Sequence, residues 1–288
     1  MKNITRQNVT DAVSSSFSNM DDARMKFLVE RLVTAVHGYA RETQLTHEEW
    51  RAALGFLHRS AAITSESRSE FTLLSDVLGL SSLVDLLASL PGATEGSVLG
   101  PFHSRGSPWV ESGTSLIKDN AGTPALLRGR VTDTAGTPIP GATVDFWQNA
   151  ENGLYWQLDS SQPQDNLRCQ VRVANDGTFE LMVIRPQPYM VPTDGPVGDL
   201  LRMAHREAWR PAHYHLIVEA PGYRTLVTEI FDAEDPYVAN DAVFGVRESL
   251  VAHFREENDA AVQAKYQLTG PYLAVDCPLA LAVSPASH

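Results

Sequence analysis

The chain has 288 residues, of which 43% are hydrophobic and 20% charged, a composition typical of folded soluble proteins and foreign to disordered or fibrous ones. Asp plus Glu number 35 against 23 Lys plus Arg, a formal charge of −12, which disfavours non-specific attraction to nucleic acid or anionic lipid and leaves a small anionic substrate in need of local positive charge. No apolar run is long enough for membrane insertion, and the first 25 residues lack a signal-peptide core, so a cytoplasmic protein is expected. Cys169 and Cys277 are too few for a disulfide framework and lack zinc-site spacing, so any metal must be held by N and O.

From Asp21 to about Ser89 the apolar residues recur at helical spacing. Phe27, Leu28, Leu32, Val33 and Val36 form one stripe, with acidic residues at the start of the segment, where they suit the helix dipole. Thr46 and Glu49 make a capping box ahead of a second helix through about Ala62. SEFTLLSDVLGL and SSLVDLLASL read as two more helices, broken at Gly79 and ended by Pro91-Gly92.

After Gly100 short Val-, Thr-, Phe- and Tyr-rich segments alternate with Gly, Pro and Asn/Asp clusters, the pattern of a β-sandwich or barrel. ALLRGRVTD and ATVDFWQ are expected to pair across TAGTPIPG. RCQVRVA and TFELMVI are expected to form a hairpin on Asn175-Asp176-Gly177, and HYHLIVEA to pair with YRTLVTEIF across Pro221-Gly222. GDLLRMAHRE and FGVRESLVAHFREEN read as short helices. The irregular stretches 149–165 and 185–198 are too long for ordinary turns, which marks them as functional loops. The whole is an α+β chain: a helical N-terminal part, residues 1–99, then an antiparallel β-sandwich, residues 100–288, with inserted loops and short helices.

His213 and His215 alternate with Tyr214 and so share one face of a strand, where the backbone fixes two cis imidazoles for a metal. Two histidines lining an ordinary polar pocket fit equally well. Glu219 on the same face completes a His-x-His-x3-Glu pattern like that of ferrous or manganous cupins, although Glu207 and Leu226 stand where the bracketing cupin glycines belong. Arg210 precedes this strand, and Tyr155 and Tyr189 lie in the long loops. Singly, the arginine reads as a carboxylate partner and the tyrosines as packed aromatics.

Taken together, GSVLGPFH, RGRVTD…GTPIPGATVDFWQ, NGLYWQLD…DNLR, NDGTFELMVIRPQPYMVPTDGPVG and WRPAHYHLIVEAPGYRTLVTEIF resemble, in order, the blocks of the intradiol ring-cleaving dioxygenases. The resemblance runs from about Phe71 to Phe254, and the helical part is similar to the N-terminal domain of the catechol-cleaving branch. EFTLLSDVLGL, VLGPFH and DPYVANDAVFGVRESLV look most like the hydroxyquinol 1,2-dioxygenases of that family.

The resemblance implies one non-haem Fe(III) per subunit, held by Tyr155, Tyr189, His213 and His215. An aromatic diol or triol would displace Tyr189 and be cleaved by O2 between its hydroxyls, with Arg210 stabilising charge that develops on the ring. Glu229 stands where the catechol branch usually has Gln beside that arginine; it would be paired with Arg210, protonated or turned away. Leu73, Asp76, Val98, Leu99, Gly100, Pro101, Phe102, Val191, Pro192 and Val243 would surround the ring, with Asp76 accepting a hydrogen bond from a third hydroxyl. The same resemblance implies a homodimer through the N-terminal helices and a phospholipid-like amphiphile at that interface. Catechol or a chlorocatechol is the alternative substrate. Alternatives of other classes are a cupin-type oxygenase and a non-catalytic β-sandwich module, which GRVTDTAGTPIPGATV also resembles.

Overall fold

The computed structural model describes residues 3–65 and 68–284. By its contacts the chain divides into two compact units, Met1–Arg59 and Ser60–His288. In the first, α1 (Val9–Ser16) is a helix beyond those read from the sequence; it has no buried residue and its apolar positions are sparse. Thr10 Oγ1 joins it to α2 (Ala23–Glu42) through His37 Nδ1 at 3.0 Å and Arg41 at 2.7 Å. Asp22 caps α2 by accepting from the Arg24 and Met25 amides. At the start of α3 (His47–Ile63) the capping box forms as expected: the Glu49 amide donates to Thr46 Oγ1 and the Thr46 amide to Glu49 Oε2. The stripe on α2 is exposed, Leu32 to 62% and Val36 to 54%. Among the described residues no single helix is long and apolar enough to cross a membrane.

In the second unit α4 (Glu70–Val77) and α5 (Leu80–Ala88) are separated by Gly79 at φ +72°. Two sheets follow. One has the order β1 (Trp109–Val110), β5 (Arg168–Arg172), β4 (Thr143–Trp147), β9 (His213–Glu219), β10 (Leu226–Asp232), β11 (Val251–Ala252). The other has the order β12 (Arg255–Glu257), β13 (Tyr272–Leu281), β3 (Pro124–Asp133), β6 (Thr178–Ile184), β2 (Thr114–Ser115). Strand β7 (Tyr189–Met190) pairs with β8 (Trp209–Arg210) as a separate ribbon enclosing α6 (Pro196–Met203), and α7 (Ala260–Tyr266) precedes β13. The core fills the space between the sheets: Val144, Phe146, Val171, Tyr214, Leu216 and Val218 from the first meet Leu127, Val131, Phe179, Leu181 and Leu279 from the second.

The helix-then-sandwich architecture agrees with expectation, but the sheets are mixed and not antiparallel throughout. The pairs β4–β5, β4–β9, β9–β10 and β3–β6 are antiparallel; β3–β13, β1–β5, β2–β6 and β10–β11 are parallel. Parallel neighbours need long connections, and β13 reaches β3 from the far end of the chain.

Three local expectations are corrected. β3 and β4 lie in different sheets, and so do β5 and β6. The turn at Asn175-Asp176-Gly177 does form, with the Gly177 amide donating to the Ala174 carbonyl at 3.0 Å and Gly177 at φ +84°. Such a turn reverses the chain without choosing the strand's neighbour, and here it is a corner of the sandwich. FGVRESLVAHFREEN is not a helix: a short 3-10 turn, Glu248–Leu250, leads into β11 and β12. Pairing of Val251 with Phe231 and of Arg255 with Ala274 overrides its helical period.

Candidate active site

β9 is central in its sheet, flanked by β4 and β10. Alternation sends Tyr214 into the core, where its hydroxyl donates to the Ile184 carbonyl at 2.8 Å, and turns His213 and His215 to the opposite face. Both imidazoles are buried. His213 Nδ1 lies 2.6 Å from the Pro211 carbonyl, which can only accept, so Nδ1 carries the proton and Nε2 keeps a lone pair. That Nε2 faces His215 Nε2 at 3.0 Å, which in turn lies 3.1 Å from the Tyr155 hydroxyl. Trp147, in register with His215 across β4 and β9, lies flat on its ring at 4.7 Å and 5°.

Tyr155 comes from the loop after β4 and Tyr189 from β7. Their rings meet edge-on at 5.4 Å, and Phe102 stacks on Tyr155 at 4.7 Å. The Tyr189 hydroxyl is buried without a hydrogen-bond partner, an arrangement that calls for an unsatisfied donor set to be completed.

Burial, aided by Arg210, pushes His213 down to about 4, and burial beside His213 holds His215 well below the usual imidazole range. Both rings are therefore neutral near pH 7, the form that binds a metal. Burial, with Tyr189 beside it, raises Tyr155 well above the usual phenol value, and burial pushes Tyr189 up to about 12. A bound cation inverts this balance by stabilising the phenolates. Two neutral imidazoles and two phenols converging in a buried site fit a hard, highly charged metal ion. His213, His215 and Glu229 also offer donor atoms within 4.8 Å of one another, but both oxygens of Glu229 are already engaged.

Arg210, on β8, is the hub of that engagement. Its guanidinium donates to Glu229 Oε1 at 2.7 Å and Oε2 at 2.9 Å, and to Asp241 Oδ1 at 3.0 Å and Oδ2 at 3.1 Å. It also lies 3.2 Å from His213 Nε2. Ser97 donates to Glu229 Oε2 at 2.6 Å. Burial opposes the charge of both partners; the pairing outweighs it, keeping Arg210 above and Glu229 below their ordinary values. Of the three arrangements open to Glu229, the structure has the ion pair with Arg210. The guanidinium is consequently no free cation: it is held between two carboxylates.

Among the other predicted residues, Leu73 and Asp76 are buried on α4, Val98, Gly100, Phe102, Val191 and Val243 are buried, Pro101 and Pro192 half-buried, and Leu99 is 39% exposed. A Cβ at Gly100, φ +73°, would stand 3.2 Å from His215 Cε1, so the chain passes close over that ring. Asp76 is 2% exposed, its Oδ1 has no partner, and burial, partly offset by Ser81, pushes it up to about 6. Glu219, the third residue of the cupin pattern, is exposed at the end of β9, away from the buried histidines. Sequence reasoning missed Asp241, Ser97 and Trp147. Only Trp147 left a signal, since it lies on a strand that could neighbour His215.

Residues 99–269 match the "Dioxygenase" family model, and residues 22–94 match "Catechol dioxygenase N terminus". The chain belongs to the intradiol ring-cleavage dioxygenases and is an enzyme of that family, whose members generally use non-haem iron. It is 42% identical over 253 residues to a hydroxyquinol 1,2-dioxygenase of Rhizobium sp. (strain MTP-10005), covering 87% of this chain and 86% of the relative. It is 39% identical over 268 residues to a 6-chlorohydroxyquinol 1,2-dioxygenase of Cupriavidus pinatubonensis, covering 92% and 97%. The solved structure of hydroxyquinol 1,2-dioxygenase from Pseudomonas putida DLL-E4 superposes with a TM-score of 0.84 at 38% identity, covering 97% of this chain and 99% of that one.

Proposed function

We propose that this enzyme cleaves hydroxyquinol (benzene-1,2,4-triol) with O2 between its adjacent hydroxyls, giving 3-hydroxy-cis,cis-muconate, the enol form of maleylacetate, in the breakdown of aromatic compounds. Kinship with hydroxyquinol-cleaving relatives supports the reaction. The observation that carries the choice of a triol is Asp76. A buried carboxyl with an unpartnered oxygen is costly, and a third ring hydroxyl is the group that would satisfy it, whereas catechol would leave it orphaned.

The metal in this reading is one Fe(III) per subunit, with Tyr155, Tyr189, His213 and His215 as ligands. When bound, ferric ion acts as a Lewis acid that ionises the phenols and draws electron density from a chelated diol, readying a ring carbon for O2. The chain's own residues divide the remaining work. Tyr189 would be the ligand that gives way to substrate and would take up one diol proton at Oη. Tyr155, His213 and His215 stay as the fixed frame. Arg210, held rigid by Glu229 and Asp241, faces negative charge as it develops on the ring. Leu73, Val98, Leu99, Gly100, Pro101, Phe102, Val191, Pro192 and Val243 would surround the ring as a largely apolar lining.

The wider reading comprises a helical region, residues 1–99, that dimerises and can hold a phospholipid-like amphiphile, and a catalytic region, residues 100–288, in a cytoplasmic enzyme. Steady-state rates of iron-loaded protein on hydroxyquinol, catechol and 4-chlorocatechol, with product identification, test the proposal. Hydroxyquinol is expected to give the highest kcat/KM, and a clear preference for catechol would overturn the triol assignment.

A further inference from the structure

Asn149 is 1% exposed and lies two residues beyond β4. Its side-chain amide pairs with the backbone of a distant residue on both edges: Nδ2 donates to the Gln187 carbonyl at 2.7 Å, and Oδ1 accepts from the Gln187 amide at 3.1 Å. This imitates one rung of an antiparallel ladder. Nδ2 also reaches the Gly153 carbonyl at 3.5 Å. Gln187 is two residues before Tyr189, and Gly153 is two residues before Tyr155. The two loops also touch directly, because a Cβ at Gly153, φ +77°, would stand 3.2 Å from the Pro188 carbonyl. On its other side Asn149 follows Trp147, which is in register with His215 and stacked on it.

We infer that Asn149 is a positioning residue for the metal centre, a clasp that fixes the Tyr155 loop and the Tyr189 loop to each other and to the strand beside His215. The physical need is plain. Tyr155 sits on irregular chain and Tyr189 on β7, a two-residue strand paired only with β8 and outside both main sheets, yet a ligand set must be held to a fraction of an ångström. The amide ties the Tyr155 loop to the chain leading into β7, and because the clasp closes on backbone groups of Gln187 it leaves the Tyr189 side chain free to swing away. The inference rests on the proposed ligand set and extends it outward by one shell.

Asn149→Asp tests the clasp, since it is isosteric, keeps the acceptor toward Gln187 and turns both donated bonds into contacts between oxygens. Metal-free and Fe(III)-loaded forms of the wild type and variant are compared by melting, by the rate of iron loss to a chelator, and by the visible tyrosinate-to-Fe(III) charge-transfer band. The variant is expected to lose iron on the order of 10–100-fold faster and to show a displaced band, while a variant at an exposed position of the same loop, Glu151→Gln, matches the wild type. A folded Asn149→Asp protein with wild-type iron retention and an unchanged band overturns the inference. Should that variant not fold, hydrogen exchange of the metal-free wild type decides. A Gln187 amide protected before iron is added supports the clasp, and one protected only after loading overturns it. A wild type with no tyrosinate band, or a Tyr155→Phe protein with an unaltered one, would instead sink the ligand set on which the clasp depends.

Discussion

In the proposed function Asp76 is a side chain kept for the substrate at the expense of the fold. Its folded value of about 6 stands above the unfolded value of 3.8, so the folded state holds the extra proton between those limits. Stability from this group is therefore present below about pH 4 and is lost as pH rises through 6. Asp76→Asn removes the buried charge and should stabilise the metal-free protein near neutral pH by about 1–3 kcal/mol, an advantage that shrinks as the pH falls through 6. Urea unfolding on either side of that value measures it, and equal gains on both sides would show that the carboxyl is not held back from ionising. The same variant should lose most of its preference for hydroxyquinol over catechol. His213, His215, Tyr155 and Tyr189 were legible as a combination of residue types in the sequence. Asp241, 31 residues from the guanidinium it grips, carried no local mark.

At the scale of elements, the sandwich corners decide which strands meet. Gly177 stands at φ +84°, and a Cβ there would lie 2.7 Å from the Val131 carbonyl. Gly177→Ala should cost about 1–3 kcal/mol, the usual penalty for a left-handed residue without glycine, seen as a lowered urea midpoint with the sheets intact. Little loss would mean that the corner is set by the core and not by its turn. The helices α2, α3, α4 and α5 and the strands β3, β4, β5, β6, β9 and β10 were readable because period and caps are local signals. The pairing of β3 with β13 was not readable, since it depends on which apolar faces share one core.

For the molecule as a whole, the exposed stripe of Phe27, Leu28, Leu32 and Val36 on the first unit is apolar surface that a lone protomer would leave in water. Sedimentation at micromolar concentration is expected to show a dimer, and Leu32→Glu to shift it toward monomer with the helices retained. A wild-type monomer under those conditions would remove the dimer from the proposed function. The −12 charge prompted the expectation of a local cation at the site. The folded protein provides one, but surrounds it with Glu229 and Asp241, so that orientation of the guanidinium, more than its net charge, is what the cluster secures.

The sequence by itself determined the helical and strand halves, the type of donor available to a metal and the family to which the chain belongs, because these follow from local period, residue chemistry and motif order. Tertiary structure alone decided that the sheets are mixed, that Glu229 is spent on Arg210, that Asp76 is left with an orphaned oxygen and that Asn149 joins two loops. Each of those depends on burial and on partners distant in the chain, and a buried polar group takes its meaning from whatever the fold brings within hydrogen-bonding distance.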